Sequence, residues 1–419
     1  MSQVQKSSAA GRVALTYPNF RLFQWARLFV VVGVEMQSVA VGWRVYELTR
    51  EPLALGLVGL AQFLPGMILF LASGHAADRI NRRKLLVFCY VALASCSGLL
   101  LWANHFRGQS VGMIYVILVL IGIVRAFSGP ASRAILPLLV AEAHFPNAVA
   151  WTATVFQAGT LLGPALGGLV YAVFRGPNAV FGIASLTALV AAALTFRMST
   201  RPQAAFTEEM GSRTVFAGLR FIFQQKLVLG SISLDLFAVL FGGAVALLPV
   251  YASEILHTGP LGLGLLRSAP AVGALAMAVA LAYRPLERNV GTTLLACVAG
   301  FGVFTILFGI SRSLVMSLLM LLMVGAFDMV SIIIRNTLVQ MATPDQMRGR
   351  VTAVELIFIG ASNELGEFES GLTAHWFGTV PAVILGGVGS LLVTVLWASA
   401  FPELRRADRF TKIPKQPAG

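Results

Sequence analysis

Charged side chains are scarce in this sequence. Asp, Glu, Lys and Arg make up 12% of its 419 residues, whereas 57% of the residues are hydrophobic. A typical soluble domain has about 25% charged and about 45–50% apolar residues. Because so few charges cannot cover the surface of a water-soluble globule, the composition predicts a multi-pass protein of the lipid bilayer.

Signatures of metal sites, disulfide frameworks and common enzymes are also missing. The three cysteines, Cys89, Cys96 and Cys297, lie in apolar runs and have no metal-site spacing. The sequence has no Gly-xxxx-Gly-Lys-Ser/Thr loop and no Gly-x-Ser-x-Gly or His-Glu-xx-His pattern. We therefore expect no metal, no cofactor, no direct use of ATP and no enzymatic activity.

The net charge of +13 raises the question of nucleic-acid binding. The basic residues, however, lie in short loops between apolar segments rather than on one face interleaved with aromatic residues. This placement is typical of cytoplasmic loops in membrane proteins. We therefore predict a lipid bilayer and no nucleic acid among the partners.

The apolar segments predict an all-α polytopic membrane protein with 12 transmembrane helices, each needing about 20 residues to cross a bilayer. Two six-helix halves, 22–197 and 227–402, are predicted. They are flanked by an N-terminal segment (1–21), a linker with an amphipathic helix (198–226) and a basic tail (403–419). The predicted spans are 22–47, 53–76, 84–104, 109–132, 146–174, 177–197, 227–251, 261–283, 290–311, 313–342, 348–376 and 379–402.

The distribution of basic residues predicts that both termini are cytoplasmic. With that orientation most of the 31 Lys and Arg residues fall on the cytoplasmic side, Arg133 and Arg335 among them. The two halves also resemble each other, since the sequences after Arg133 and Arg335 correspond. Two related halves are typical of many secondary transporters, which predicts two pseudo-symmetric bundles. The basic residues left on the outer side are Arg50, Arg107, Arg175 and Arg312.

The loop between spans 2 and 3 combines a glycine, an acid and arginines at fixed spacing: Gly74, Asp78, Arg79, Arg82 and Arg83. This pattern resembles the conserved loop motif of the major facilitator superfamily. The resemblance implies that the acid and the arginines latch one conformation, through contacts with helix ends and acids of the other half worth about 1–3 kcal/mol each. Asn81 departs from the family pattern, which usually has glycine there. A basic loop that only sets topology is the alternative.

Two further stretches resemble motifs of the same superfamily. Arg125, followed by Gly129, resembles the span 4 motif, which implies control of a proton-carrying carboxylate; a static ion pair is the alternative. A glycine-rich run in span 5 resembles the motif of drug:proton antiporters and implies export, although generic small-residue packing would also use it. That run contains Gly159, Gly163, Pro164, Gly167 and Gly168.

Carboxylates inside predicted spans are candidates for proton coupling or substrate binding. Three acids in one and a half turns of span 11 cannot all ionise cheaply, so at least one is expected to bind a proton. Alternatively, these acids bind a cationic or polyhydroxylated substrate, or pair with Arg27, Arg44, Arg125 or Arg267. The candidates are Glu35, Asp235, Asp328, Asn363, Glu364, Glu367 and Glu369.

The whole chain resembles the enterobactin exporter-like branch of bacterial efflux proteins. The matching stretches are 18–23, 145–151, 347–351 and 364–367. The resemblance implies proton-coupled efflux of a small molecule, such as a siderophore or drug, by a monomer in the bacterial inner membrane using alternating access. Uptake of a metabolite by symport and a non-transport membrane protein, an enzyme or a lipid scramblase, are the alternatives.

Overall fold

A computed structural model describes residues 13–69, 72–73, 76, 80–106, 110–200, 212–286, 288–344 and 347–408. The regular structure of these residues is helical throughout, with no β-strand among them. The helices are α1 (Pro18–Thr49), α2 (Pro52–Ile68), α3 (Arg82–Phe106), α4 (Val111–Ala134), α5 (Phe145–Val173), α6 (Asn178–Arg197), α7 (Ser212–Gln224), α8 (Lys226–Phe241), α9 (Gly259–Tyr283), α10 (Val290–Ile310), α11 (Leu314–Ala342), α12 (Arg348–Phe377), α13 (Thr379–Ala400) and α14 (Pro402–Arg405).

Ten helical segments of the described chain are long and apolar enough to cross a membrane. They confirm the prediction of an all-α polytopic membrane protein. The two remaining predicted spans correspond to α2, which has 17 described residues, and α12, which has 30 residues but carries more charge. Predicted spans 1–6 thus correspond to α1–α6, and spans 7–12 to α8–α13.

Predicted span 7 differs from the others because its helix is interrupted. The prediction was 227–251, but α8 ends at Phe241, and short 3₁₀, α and π turns continue to Ile255. Glycine costs about 1 kcal/mol in a helix interior, and Gly242 and Gly243 follow directly. Pro249 also lacks the N–H that a continuous helix would need.

Two compact units divide the described helices. The first comprises 1–49, 61–210 and 259–268, and the second 50–60, 211–258 and 269–419. In the first unit α1 packs against α5 and α6, and α3 packs against α4 and α6. In the second, α8 packs against α12 and α13, and α10 packs against α11 and α13. The same pairs of helices therefore meet in each unit, as a duplicated build requires.

Helix α7 lies in the predicted linker and packs on α12. Ile222 of α7 is fully buried in an apolar cluster with Val351 and Val354, while Phe223 on the adjacent position is 62% exposed. Gly218 allows close approach, since a Cβ atom there would lie 2.7 Å from the carbonyl oxygen of Arg350. One face of this amphipathic helix is therefore used for packing within the second unit.

Candidate functional site

The first unit holds a polar cluster built around Glu35. This half-buried carboxylate lies on α1, and the positive charges of Arg125 on α4 and Arg267 on α9 both act on it. A charge inside a membrane-spanning helix is costly unless it finds partners or water. Two cations around one anion leave this cluster with a net positive charge.

Neutral side chains hold both arginines of the cluster. A guanidinium nitrogen of Arg267 donates to the Ser38 hydroxyl at 2.7 Å, and one of Arg125 donates to the Gln62 side-chain oxygen at 3.0 Å. Arg125 is exposed although it lies within a membrane-spanning helix. Because lipid-facing arginines are rare, this exposure favours a water-accessible polar space beside α4.

The glycine-rich run of α5 forms the packing surface for α1 and for the start of α9. A Cβ atom at Gly163 would overlap the Cβ of Glu35, and one at Gly167 would lie 2.8 Å from the Cα of Met36. On the neighbouring face of α5, a Cβ atom at Gly168 would lie 2.9 Å from the Cα of Gly264. The span 5 glycines thus set how closely α5 approaches the helix that carries Glu35.

Only part of the loop motif lies among the described residues; Gly74, Asp78 and Arg79 are outside them. Arg82 is 5% exposed and donates to the carbonyl oxygen of Ala134, the last residue of α4, at 2.7 Å. Arg83 donates to the carbonyl oxygen of Phe196 near the end of α6, and its guanidinium lies 5.3 Å from that ring's centroid. Both arginines therefore bind helix C-terminal ends, where cations are favoured.

Asn81, the departure from the family pattern, lies at the start of α3. Its side-chain oxygen accepts hydrogen bonds from the backbone N–H groups of Arg83 and Lys84, at 3.1 and 3.2 Å. Asparagine is among the preferred residues at a helix N-cap. The asparagine therefore supplies a cap that a glycine could not.

The second unit contains a buried ion triad centred on Arg335. The charge distribution counted this arginine with the cytoplasmic basic residues, although the predicted span 313–342 contains it, and the structure agrees with the span. Arg335 lies within α11 and is 3% exposed. It pairs with Asp235 of α8 and, at 3.7 Å from its Nε, with Glu355 of α12. The helix continues for about two turns after Arg335 and ends at Ala342, so the arginine lies within the helix and not in the loop that follows.

Asp328 lies two turns before Arg335 on α11. Together with Asp235 and Ser331 it lines a small cavity of about 10 Å³, which is enough for about one water molecule. Two of the predicted intramembrane acids thus lie close together, and of these two Asp235 is the one that pairs with Arg335.

The acids of span 11 lie along α12 in different surroundings. Glu367 packs on α2, because a Cβ atom at Gly59 would lie 2.8 Å from its Oε2. The backbone carbonyl oxygen of Glu364 would lie 3.4 Å from the same Cβ atom. Glu369 accepts a hydrogen bond from the Thr373 hydroxyl at 2.7 Å, and Asn363 is exposed. The structure therefore does not bring all four residues together.

Sequence reasoning did not include Glu355 among the candidate site residues. It named Arg267 only as one of several arginines that could pair with the intramembrane acids. Glu355 is 7% exposed and its Oε1 has no hydrogen-bond partner. The available signal was an acid inside predicted span 11, four residues after the Val351 position that packs in the core. The partner that each residue meets depends on how its helix is rotated about its own axis. A hydropathy profile gives no information on that rotation.

A family described as "Transmembrane secretion effector" matches residues 10–418 of this chain. Curated relatives include enterobactin exporter EntS of Shigella boydii serotype 4 (strain Sb227), 26% identical over 392 residues, covering 92% of this chain and 88% of the relative. The EntS of Citrobacter koseri is 25% identical over 414 residues, covering 96% of each chain.

Solved structures with the same fold include nucleoside transporter NupG and a D-xylose-proton symporter. The first has a TM-score of 0.70 and 11% identity, covering 91% of this chain and 100% of that one. The second has a TM-score of 0.69 and 15% identity, covering 93% and 99%. At these identities the likeness concerns the fold alone.

Proposed function

The chain belongs to the transmembrane secretion effector family of the major facilitator superfamily, and we propose that this multi-pass transporter is a proton-coupled antiporter. In this proposal it exports a small molecule from the bacterial cytoplasm by alternating access. Both termini lie in the cytoplasm, as the basic loops predict. The loop motif acts as the conformational latch in this proposal; Arg82 and Arg83 bind the ends of α4 and α6 within their own unit, which leaves the latching contact to Asp78 and Arg79.

The observation that carries the proposal is Glu35 on the packing surface of the α5 glycines, within electrostatic range of Arg125 and Arg267 and without a direct ion pair to either. When Glu35 is ionised, its charge attracts both guanidinium groups toward α1. When it binds a proton, the arginines keep only their neutral partners, Ser38 and Gln62. A proton can therefore change how α1, α4 and α9 are held together, which is the requirement for coupling.

The charge of this cluster favours an anionic substrate over a lipophilic cation. Two arginines exceed one carboxylate, so an anionic group of the substrate can replace Glu35 as their partner once Glu35 is protonated. The curated relatives are enterobactin exporters, which supports a siderophore as the substrate. In this scheme the acids Glu364, Glu367 and Glu369 of α12 add polar contacts or a second protonation site.

Asp235 is assigned to a different role. Asp235 is committed to Arg335 in the buried triad, and this pairing supports a structural ion pair rather than a mobile proton carrier. Asp328 shares the small cavity with it. We propose that Asp235 stabilises the second unit and that Glu35 couples the proton.

Transport in reconstituted vesicles tests the proposal. Protein inserted with its cytoplasmic face outward is given an acidic lumen, and siderophores, lipophilic cations and sugars are screened for accumulation. We expect siderophore accumulation that stops when nigericin dissipates the pH gradient. Accumulation that ignores the gradient, or that requires ATP, contradicts proton coupling.

A further inference from the structure

The surface of the first unit carries an apolar groove between α3 and α4 that the proposed transport cycle does not use. It has a volume of about 460 Å³ and is lined by Ala76, Ile80, Lys84, Leu85, Phe88, Cys89, Ile123, Val124 and Phe127. This volume is within the roughly 300–1,000 Å³ range of small-molecule sites. All of the lining residues but one are apolar.

The groove opens on a face of the helices that contacts lipid. Phe88 in its wall is 71% exposed, and Val91 one turn along α3 is 43% exposed. On α4 the residues Val116 and Leu120 are 58% and 40% exposed. On a membrane-spanning helix, exposed aliphatic and aromatic side chains of this kind face acyl chains.

Lys84 is the charged residue of the groove and lies in the first turn of α3. It is exposed, and its ammonium group has no hydrogen bond or ion pair with the described residues. The neighbouring Arg82 and Arg83 are bound to the carbonyl oxygens of Ala134 and Phe196. Among the described basic residues at this helix end, Lys84 is therefore the one whose charged group is available to a ligand.

We propose that the α3–α4 groove is a binding site for an anionic phospholipid of the bilayer. One acyl chain lies along Phe88, Val124 and Phe127, and the phosphate of the head group pairs with the Lys84 ammonium. The apolar groove matches the acyl chain of such a lipid, and the cation at its end matches the head group. Basic pockets between membrane helices are known to bind anionic head groups. A neutral or zwitterionic lipid would fill the groove without balancing the charge of Lys84.

The site lies directly beside the loop motif. Lys84 follows Arg83, and Asn81 caps the helix that carries all three residues. A bound head group would add a fixed anion at this helix end, next to the arginines that hold α4 and α6. The lipid is thereby expected to influence the proposed latch, although its binding does not depend on the transported substrate.

Native mass spectrometry of the full-length protein with phosphatidylglycerol or phosphatidylcholine tests the site. We expect wild-type protein to retain one phosphatidylglycerol several-fold more strongly than phosphatidylcholine. Lys84→Gln should remove this preference, and Val124→Phe should weaken retention of both lipids by filling the groove. The matched control is Arg284→Gln, which removes an exposed cation at the end of α9, outside the groove lining, and should retain the wild-type preference.

Several results would overturn the proposal. Equal retention of the two lipids by wild-type protein removes the role of Lys84, and an equal loss in Arg284→Gln shows a non-specific charge effect. A dimer whose formation displaces lipid and is broken by Val124→Phe would show that a second copy covers the groove. Because retention is measured without substrate or pH gradient, these results are distinguishable from a failure of the proposed transport.

Discussion

The two units solve the problem of charge inside a membrane in different ways. In the first, Arg125 and Arg267 donate to the neutral side chains of Gln62 and Ser38, and a single carboxylate lies nearby. In the second, Arg335 is buried in direct contact with a carboxylate and has another at 3.7 Å. Hydrogen bonds from an arginine to a neutral side chain are exchanged more readily than buried ion pairs.

This difference separates a changeable charge cluster from a fixed one. In the proposed function, a proton on Glu35 or an anionic substrate alters the first cluster, because Arg125 and Arg267 each have a hydrogen-bond partner of their own. The triad resists change, since removing any member leaves a charge in an apolar environment. The contrast predicts that substitutions in the first unit impair transport more than stability, and that those in the triad do the reverse.

The largest expected effect on stability is that of Arg335→Gln. It leaves Asp235 and Glu355 buried without a cation, which costs about 3–5 kcal/mol. The free energy of unfolding in mixed micelles, or the loss of monodisperse protein on heating, measures this change. Arg125→Gln is the comparison and should stay within about 1 kcal/mol of wild type, because Arg125 is exposed.

A triple variant sharpens the same test. Arg335→Gln combined with Asp235→Asn and Glu355→Gln leaves no buried charge in the triad, so it should recover much of the lost stability. If the triple variant is no more stable than Arg335→Gln alone, lost packing rather than unpaired charge explains the effect.

The two acids of the triad should differ in importance. Asp235→Asn removes the close partner of Arg335 and should cost about 1.5–3 kcal/mol, the range for a hydrogen bond to a charged group. Glu355→Gln removes the looser contact and also the excess negative charge, so we expect a smaller loss. Unfolding free energies of the two single variants give the order, and the reverse order would contradict the assignment of Asp235 as the main partner.

Gly163→Ala tests the packing surface beneath Glu35. The added methyl group would overlap the Glu35 Cβ, and overpacking of this kind costs about 1–3 kcal/mol. The control is Gly182→Ala on α6, where a Cβ atom has no heavy atom within 4 Å and alanine favours the helix. A thermal-shift measurement should show destabilisation by the first substitution alone; equal melting temperatures would count against the close α1–α5 approach.

Hydropathy was sufficient to predict most of this fold. Each apolar run ends near the charged or glycine-containing loop that terminates the corresponding helix, so the bounds of α3 or α12 follow closely from composition. Span 7 is the exception. Its helix is interrupted near Gly242, Gly243 and Pro249, which weaken a helix through their backbone properties, and an averaged hydropathy value does not detect this effect.

The sequence was sufficient to predict which residue types form the candidate sites. It was not sufficient to predict which of these residues contact each other. An arginine in span 4 and an acid in span 1 indicated a charged cluster. Whether Arg125 meets a carboxylate or Gln62 depends on the rotation of α4 about its axis, however. Arg335 was counted with the cytoplasmic basic residues although the predicted span 313–342 contains it, because that count considered only charge. Its pairing with Asp235 depends on how α11 packs on α8, which the sequence alone does not give.

The smallest expected effect on stability is that of Ser38→Ala. It removes one hydroxyl acceptor from Arg267, and we expect a loss of about 0.5–1.5 kcal/mol at most. Unfolding in micelles measures this value. A loss as large as that of Asp235→Asn would show that the first cluster is as rigid as the triad and would remove the distinction between them.

Proton coupling by Glu35→Gln protein tests the central claim most directly. Vesicles with an acidic lumen are compared for gradient-driven accumulation and for substrate exchange at equal pH on both sides. Glu47→Gln is the matched control, because Glu47 lies on the same helix but pairs with Arg44 at 2.7 Å, outside the cluster. The account predicts that Glu35→Gln abolishes gradient-driven accumulation and retains exchange, while Glu47→Gln keeps both. Gradient-driven accumulation that persists in Glu35→Gln and is lost instead in Glu364→Gln or Glu367→Gln would contradict it.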